Sequence, residues 1–174
     1  MTEIEIGRAK RARRVYSFDD VAIVPSRRTR DPQDVSITWK IDAFTFDIPL
    51  LAAPMDSVMS PETAIGFGKL GGLGVLDLEG LWTRYDDPAP LLAQIADLPA
   101  KQATAKLQEI YREPVKGTLI KERLQQIREA GVPVAGALSP QRTQQFMNDV
   151  LEAGTDLFVI RGTTVSTEHV SRNQ

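Results

Sequence analysis

The sequence predicts an α/β protein of parallel β/α units, and three observations carry that expectation. Short apolar runs without polar alternation recur along the chain. Each of the first three is followed by an amphipathic segment of helical period. Serine–proline pairs open two of those segments, and glycines close them. Strands that are apolar on both faces and alternate with helices belong to parallel sheets.

The 174 residues are 42% hydrophobic and 25% charged, ordinary proportions for a globular domain with its own core. Lys and Arg number 21 against 23 Asp and Glu, a net charge of −2. That balance excludes bulk nucleic-acid binding, which needs a strongly basic surface. There is no cysteine, so disulfides, cysteine-ligated zinc and a cysteine nucleophile are excluded within these residues. The longest nearly apolar run, Ile48-Pro-Leu-Leu-Ala-Ala-Pro-Met55, holds two prolines and is far short of the roughly 20 residues that span a bilayer. The charged N-terminus has no apolar stretch behind it, so no secretory signal is expected. The expectation is a cytoplasmic protein with no membrane partner.

Residues 1–47 read as a lead-in of loop and β-ribbon. Gly7-Arg-Ala-Lys-Arg-Ala-Arg-Arg14 is basic but has no interleaved aromatics, which marks a solvated or subunit-contacting segment more than a nucleic-acid arm. Asp31-Pro32 signals a turn. After it Val35, Ile37, Trp39 and Ile41 alternate with polar residues, the pattern of a half-buried strand.

Residues 48–174 carry the repeating unit. The first strand is expected over 49–53. Ser60-Pro61 then opens a helix, with serine as cap and proline where its missing N–H is harmless. Ala64, Ile65, Phe67 and Leu70 form its apolar side, Gly71-Gly72 ends it, and Leu73-Gly-Val-Leu76 is the second strand. A proline-punctuated insertion over about 82–116 holds two helix candidates, 91–97 and 100–111. It is too short for a core of its own. Helix 118–130 follows, with Ile120, Leu124 and Ile127 on one face and Gly131 as its stop. The third strand is expected over 132–138, weakened by Pro133 and Gly136. Ser139-Pro140 opens the next helix, with Met147, Val150 and Leu151 as its buried stripe and Gly154 as its stop. Leu157–Ile160 is the fourth strand. A closed (β/α)8 barrel takes about 250 residues and at least about 200, so the pattern leaves two architectures, a small open sheet or half of a barrel.

Phe18-Asp-Asp-Val21, Val24-Pro25, Ile48-Pro49, Ala52-Ala-Pro-Met-Asp-Ser-Val58 and Gly71-Gly-Leu-Gly-Val75 occur in this order. Together they resemble the N-terminal half of the IMP dehydrogenase/GMP reductase family, most closely its compact branch without the regulatory CBS pair. The resemblance covers essentially the whole chain. It implies the N-terminal half of a (β/α)8 TIM barrel, with four parallel β/α units behind the ribbon. It further implies a purine nucleotide substrate (IMP or GMP), NAD or NADP as cofactor, and a homo-oligomer, tetrameric in full-length relatives. The family's chemistry runs through a cysteine thiolate that attacks the purine, with hydride exchanged with a nicotinamide. This chain has no cysteine, so the resemblance implies a truncated oxidoreductase of purine nucleotide biosynthesis, inactive alone.

Carried onto this sequence, the resemblance nominates Ala53, Met55 and Asp56 for substrate. Met55 would pack on the base and Asp56 would set the loop around it. From the residues alone the favoured reading is Met55 as a core side chain and Asp56 as a turn former. Relatives often have serine at the position of Ala53, which removes one polar contact. Asp77 stands where many relatives have histidine near the dinucleotide, and a plain loop aspartate is the other reading. Arg161, Gly162 and Thr163 follow the fourth strand, where relatives place an aspartate on the cofactor ribose. Arginine there suits a phosphate, such as the extra one of NADP, or a carboxylate such as Asp156 or Glu168. His169 has no partner at metal-ligand spacing, and no metal is expected. Gly71-Gly-Leu-Gly74 leaves a helix and enters a strand, the reverse of a dinucleotide fingerprint. Two other functions stay open: a non-catalytic half-barrel acting as a binding or assembly module, and another phosphate-binding barrel enzyme, such as a flavin-dependent one.

Overall fold

The computed structural model describes residues 3–5, 7–25 and 30–162. The chain divides into two compact units, Met1–Ser36 and Ile37–Gln174.

In the first unit β1 (Glu3–Glu5) and β2 (Arg11–Arg13) pair antiparallel, with Glu5 opposite Arg11 and Ile4 opposite Ala12. The basic run therefore forms one strand of a small ribbon. Ser17 caps a single 3-10 turn, Phe18–Asp20, by donating from its backbone N–H and its hydroxyl to Asp20 Oδ2, both at 2.9 Å. Those bonds favour the ionised carboxylate and hold the pKa of Asp20 below its ordinary value.

The second unit opens with a hairpin of β3 (Trp39–Ile41) and β4 (Phe44–Phe46). Asp42 takes a positive φ of 49° in its two-residue turn, a conformation that aspartate tolerates better than most residues. The expected strand from Val35 is shorter than its alternation suggested. The ladder stops at the Trp39–Phe46 pair, because Asp47 and Ile48 turn away and donate their N–H groups to Gly71 O at 3.0 and 3.2 Å. Val35 and Ile37 lie outside any strand and are exposed.

The main sheet holds four parallel strands in the order β5 (Leu51–Ala52), β6 (Leu73–Asp77), β7 (Ala135–Leu138) and β8 (Leu157–Ile160). Two strands begin later than expected. Strand β5 keeps two residues of the five expected, since Pro49 has no N–H and Leu50 N donates locally to Ile48 O at 2.9 Å. Strand β7 begins after Pro133, for the same reason. As edge strands, β5 and β8 are also not buried on both faces, and Leu51 and Ile160 are exposed.

The helices are α1 (Pro61–Lys69), α2 (Ala89–Ala96), α3 (Ala100–Ile110), α4 (Gly117–Glu129) and α5 (Pro140–Glu152). Helix α1 starts on a reciprocal cap: Thr63 N donates to Ser60 Oγ at 3.0 Å and Ser60 N to Thr63 Oγ1 at 2.6 Å. Ser139 Oγ accepts from Arg142 N at the start of α5. On α5 the buried stripe is Phe146 and Val150, while Leu151 is exposed. Residues at i and i+4 share a helix face and a neighbour at i+5 does not, so Leu151 turns out where Val150 turns in.

Helices α1, α4 and α5 cover one face of the sheet, where Leu76, Leu138, Ile120, Leu124, Ile127 and Val150 form the main core. On the opposite face Leu73, Val75, Ala135 and Ala137 meet Phe46, Trp39, Ile41 and Phe44 of the hairpin. The Trp39 and Phe46 rings stack at 4.8 Å, and Trp39 Nε1 donates to Ile48 O at 2.6 Å. The hairpin thus covers the sheet residues that lie before the C-terminal strand ends.

Gly74 sets how closely α1 lies on β6. A Cβ built there would fall 2.6 Å from the Cα of Ala64, a backbone approach that only glycine permits. Gly66 on the same helix has nothing within 4 Å of its would-be Cβ. Gly74→Val is expected to lose about 1–3 kcal/mol of stability in urea denaturation through overpacking. Gly66→Ala should leave stability unchanged or raise it by up to about 1 kcal/mol.

Candidate functional site

Parallel pairing delivers all four C-terminal strand ends to one side, and the side chains that follow them converge there. The turn after β5 is built on one carbonyl: Val58 N and Met59 N both donate to Met55 O, at 2.9 and 2.8 Å. That anchors the Met55 backbone and leaves its side chain half-exposed at 50%. The next residue, Asp56, reaches across to the loop after β6. Its Oδ2 accepts from Leu81 N at 2.7 Å and from the Tyr111 hydroxyl. Its Oδ1 is buried without a partner and lies against Gly80, where a Cβ would come within 1.9 Å of it.

Asp77 ends β6 on the sheet face that carries Leu73 and Val75. Arg161, two residues beyond Val159, projects from the same face past β8. Between them β7 presents only Ala135 and Ala137 on that face, short side chains over which an arginine can reach. Arg161 Nη2 donates to Asp77 Oδ1 at 2.7 Å and Nη1 to Pro54 O at 3.2 Å. Its Nε is buried without a partner. One guanidinium therefore ties the ends of β5, β6 and β8 together. Asp77 Oδ1 also accepts from Glu79 N at 2.9 Å. Burial pushes the Asp77 carboxyl above its ordinary pKa, against the opposing pull of the Glu79 N–H and the Arg161 charge.

Met55, Asp56, Asp77 and Arg161 line one cleft of about 440 Å³. Its far wall is apolar and comes from the segment expected only as an insertion: Leu92 and Ile95 from α2, Leu107 and Tyr111 from α3 and its end. Two buried arginines hold that segment. Arg84 donates to Glu79 O at 2.9 Å, to Tyr111 O at 3.1 Å and to Glu113 O, and its guanidinium sits 5.3 Å from the Tyr111 ring centre. Arg123 donates to Trp82 O at 3.1 Å and Asp86 O at 2.6 Å. Burial, followed by the hydrogen bond to Asp56, raises the Tyr111 phenol well above its ordinary pKa, so at neutral pH it is a donor.

Among the residues nominated from sequence, Met55, Asp56, Asp77 and Arg161 meet in this cleft. Ala53 and Gly162 are exposed and do not line it. Thr163, Glu168 and His169 lie outside the described residues. Asp156, considered as a partner for Arg161, pairs instead with Arg128 at 3.1 Å. Sequence reasoning missed Leu81, Tyr111 and the apolar wall. A signal existed in the spacing of Leu92 with Ile95 and of Leu107 with Tyr111, which gives both insertion helices an apolar face. Among the described residues no group of three His, Asp or Glu is placed to hold a metal ion, and no helix is long and apolar enough to cross a membrane. The cleft combines an apolar wall with two carboxylates and one neutralised guanidinium. That chemistry suits a planar ring bearing hydroxyl or amine donors.

Comparison with known proteins identifies the family. Residues 15–172 match the family model described as the IMP dehydrogenase/GMP reductase domain. Uncharacterized oxidoreductases of Mycolicibacterium smegmatis and Mycobacterium leprae are 45% and 44% identical over 173 residues, covering 97% of this chain and 46% of theirs. An inosine-5'-monophosphate dehydrogenase of Methanocaldococcus jannaschii is 38% identical over 65 residues, 37% of this chain and 13% of that protein. An IMP dehydrogenase/GMP reductase-like protein of Corynebacterium glutamicum has a crystal structure that superposes with a TM-score of 0.81 at 44% identity. The match covers 97% of this chain and 46% of that one. The chain thus spans about half the length of the mycobacterial and corynebacterial relatives, and its four parallel strands with their helices have the fold of a TIM-barrel family.

The Asp77–Arg161 pair yields a pH-dependent prediction. A carboxyl whose folded pKa is raised favours the folded state at low pH, and that contribution is lost as pH rises through the folded value. Arg161→Met removes one of the influences that hold the Asp77 pKa down, so by carboxyl NMR Asp77 should titrate higher than in the parent. Arg161 is 36% exposed, so screening limits the loss of stability at neutral pH to about 1–2 kcal/mol. In urea denaturation that deficit should shrink on acidification towards the ordinary aspartate value of 3.8.

Proposed function

The chain belongs to the IMP dehydrogenase/GMP reductase family, and from that premise we propose that its cleft binds nucleotide in an NAD(P)-dependent purine-nucleotide oxidoreductase. The single observation that carries the reading is the convergence of Met55, Asp56, Asp77 and Arg161, from three separate strand ends, on one cleft. In (β/α)8 enzymes that end of the barrel is where substrates are handled. In this reading Met55 packs against the purine of IMP or GMP and Asp56 holds the loop that presents it. Ala53 contributes backbone only. Asp77 and Arg161, continuing into Gly162 and Thr163, face the cofactor. Solution in the cytoplasm and assembly into a homo-oligomer belong to the same proposal.

When bound, a nicotinamide dinucleotide supplies the hydride acceptor or donor. The chain's own residues bind and orient. Asp77 uses Oδ1 for both of its hydrogen bonds, which leaves Oδ2 to accept from a ribose hydroxyl. A phosphate at this position would have to draw Arg161 from Asp77, so the pairing favours NAD over NADP here. The thiolate step of the family has no counterpart among these 174 residues, which contain no cysteine. The chain by itself is therefore expected to bind but not to turn over.

Calorimetric titration of the purified chain with IMP and GMP tests this directly. Binding of one of them is expected, with Met55→Ala weakening it about tenfold through loss of apolar contact. Steady-state turnover of IMP with NAD by the chain alone, or equal affinity of Met55→Ala and the parent, would contradict the assignment.

A second reading, a binding or assembly module, is favoured by the two open strand edges. Leu51 on β5 and Ile160 on β8 are 52% and 58% exposed, among the described residues no strand pairs with the outer edge of either, and such edges invite pairing with another chain. Sedimentation of the isolated chain is expected to show a dimer or larger species, and a stable monomer would remove this reading.

A further inference from the structure

We propose that the α2–α3 segment is part of the site, and that Tyr111 is a positioning residue which clamps Asp56 and thereby sets where Met55 stands in the cleft. The inference deepens the nucleotide-binding reading and rests on it for its consequence, though the clamp itself is a matter of geometry alone.

Asp56 is held from three directions. The Tyr111 hydroxyl and the Leu81 N–H both donate to Oδ2, and Gly80 closes against Oδ1 so tightly that no side chain would fit. A carboxylate fixed in this way fixes its backbone, and Asp56 directly follows Met55, whose carbonyl already anchors the turn through Val58 N and Met59 N. Tyr111 is itself fixed from behind. Arg84 binds its carbonyl at 3.1 Å and lies over its ring, and Tyr85 Oη donates to the preceding carbonyl, Ile110 O, at 2.8 Å. Arg84 also binds Glu79 O, two residues after Asp77. The end of α3, the loop after β6 and the turn after β5 are therefore one hydrogen-bonded unit. Hydrogen bonds to a charged acceptor are among the stronger ones, which makes the Tyr111 hydroxyl the group whose loss should be felt at Met55.

Tyr111→Phe removes the hydroxyl but keeps the ring for Arg84 and for the apolar wall. With methyl-labelled methionine, NMR of the free chain should show the Met55 methyl signal shifted and broadened in Tyr111→Phe. The Met59 and Met147 signals should stay in place, and Arg84→Lys should move Met55 in the same direction. IMP affinity should fall about tenfold in Tyr111→Phe. In the unsubstituted chain the Tyr111 hydroxyl proton should be visible and slow to exchange, a readout that needs no variant to fold. An unmoved Met55 methyl in folded Tyr111→Phe, or a fast-exchanging Tyr111 hydroxyl in the parent, overturns the clamp. Failure of the parent to bind any purine nucleotide while the methyl and hydroxyl readouts hold would overturn the nucleotide reading and leave the clamp standing.

Discussion

Parallel pairing of β5, β6, β7 and β8 aligns the strands so that every C-terminal end opens on the same side of the sheet, and the rest of the molecule follows from covering what that alignment leaves bare. One face is sealed by α1, α4 and α5, with α1 lying close on β6 because Gly74 admits its backbone. The other face is covered by the aromatic hairpin, which packs on Leu73, Val75, Ala135 and Ala137. At the ends of β6 and β8 Asp77 and Arg161 close on each other and line the cleft. The cleft lies where hydrophobic cover ends and the strands' last polar residues begin.

Within that space the ion pair and the clamp divide the work. Arg161 spans β7 because β7 offers only alanines on that face, and it collects the Pro54 carbonyl and the Asp77 carboxylate in one reach. Asp56 does the same from the other side, collecting the loop after β6 and the end of α3. The two carboxylates and one cation leave little positive field for a phosphate. The apolar wall opposite them favours a planar ring. Substrate orientation in such a site comes from fixed donors and acceptors, and both are anchored on backbone here.

Helix positions were legible in the residues because their signals are local. Ser60-Pro61 and Ser139-Pro140 cap the helices they announce, and Ile120, Leu124 and Ile127 share the face that their spacing assigns them. The strands were less legible at their ends. Proline at 49 and 133 shortens β5 and β7 by removing donors from the ladder, and the alternation through Val35 and Ile37 is not in a strand among the described residues. Phe146 shows the same limit on a helix: it takes the buried place on α5 that spacing also left open to Leu151.

The residues by themselves determined the order of β/α units, the caps and stops of their helices, the absence of any thiol chemistry within the chain, and the motif set that places it in its family. Those properties depend on neighbours within a few positions, or on composition. Only the tertiary structure decided that Arg161 answers to Asp77, 84 positions away, and that Tyr111 reaches Asp56 across 55. It also made a supposed insertion into a wall of the cleft. Contacts at such separations are set by strand order and by which side chains are short enough to be reached over, and neither is written in local spacing.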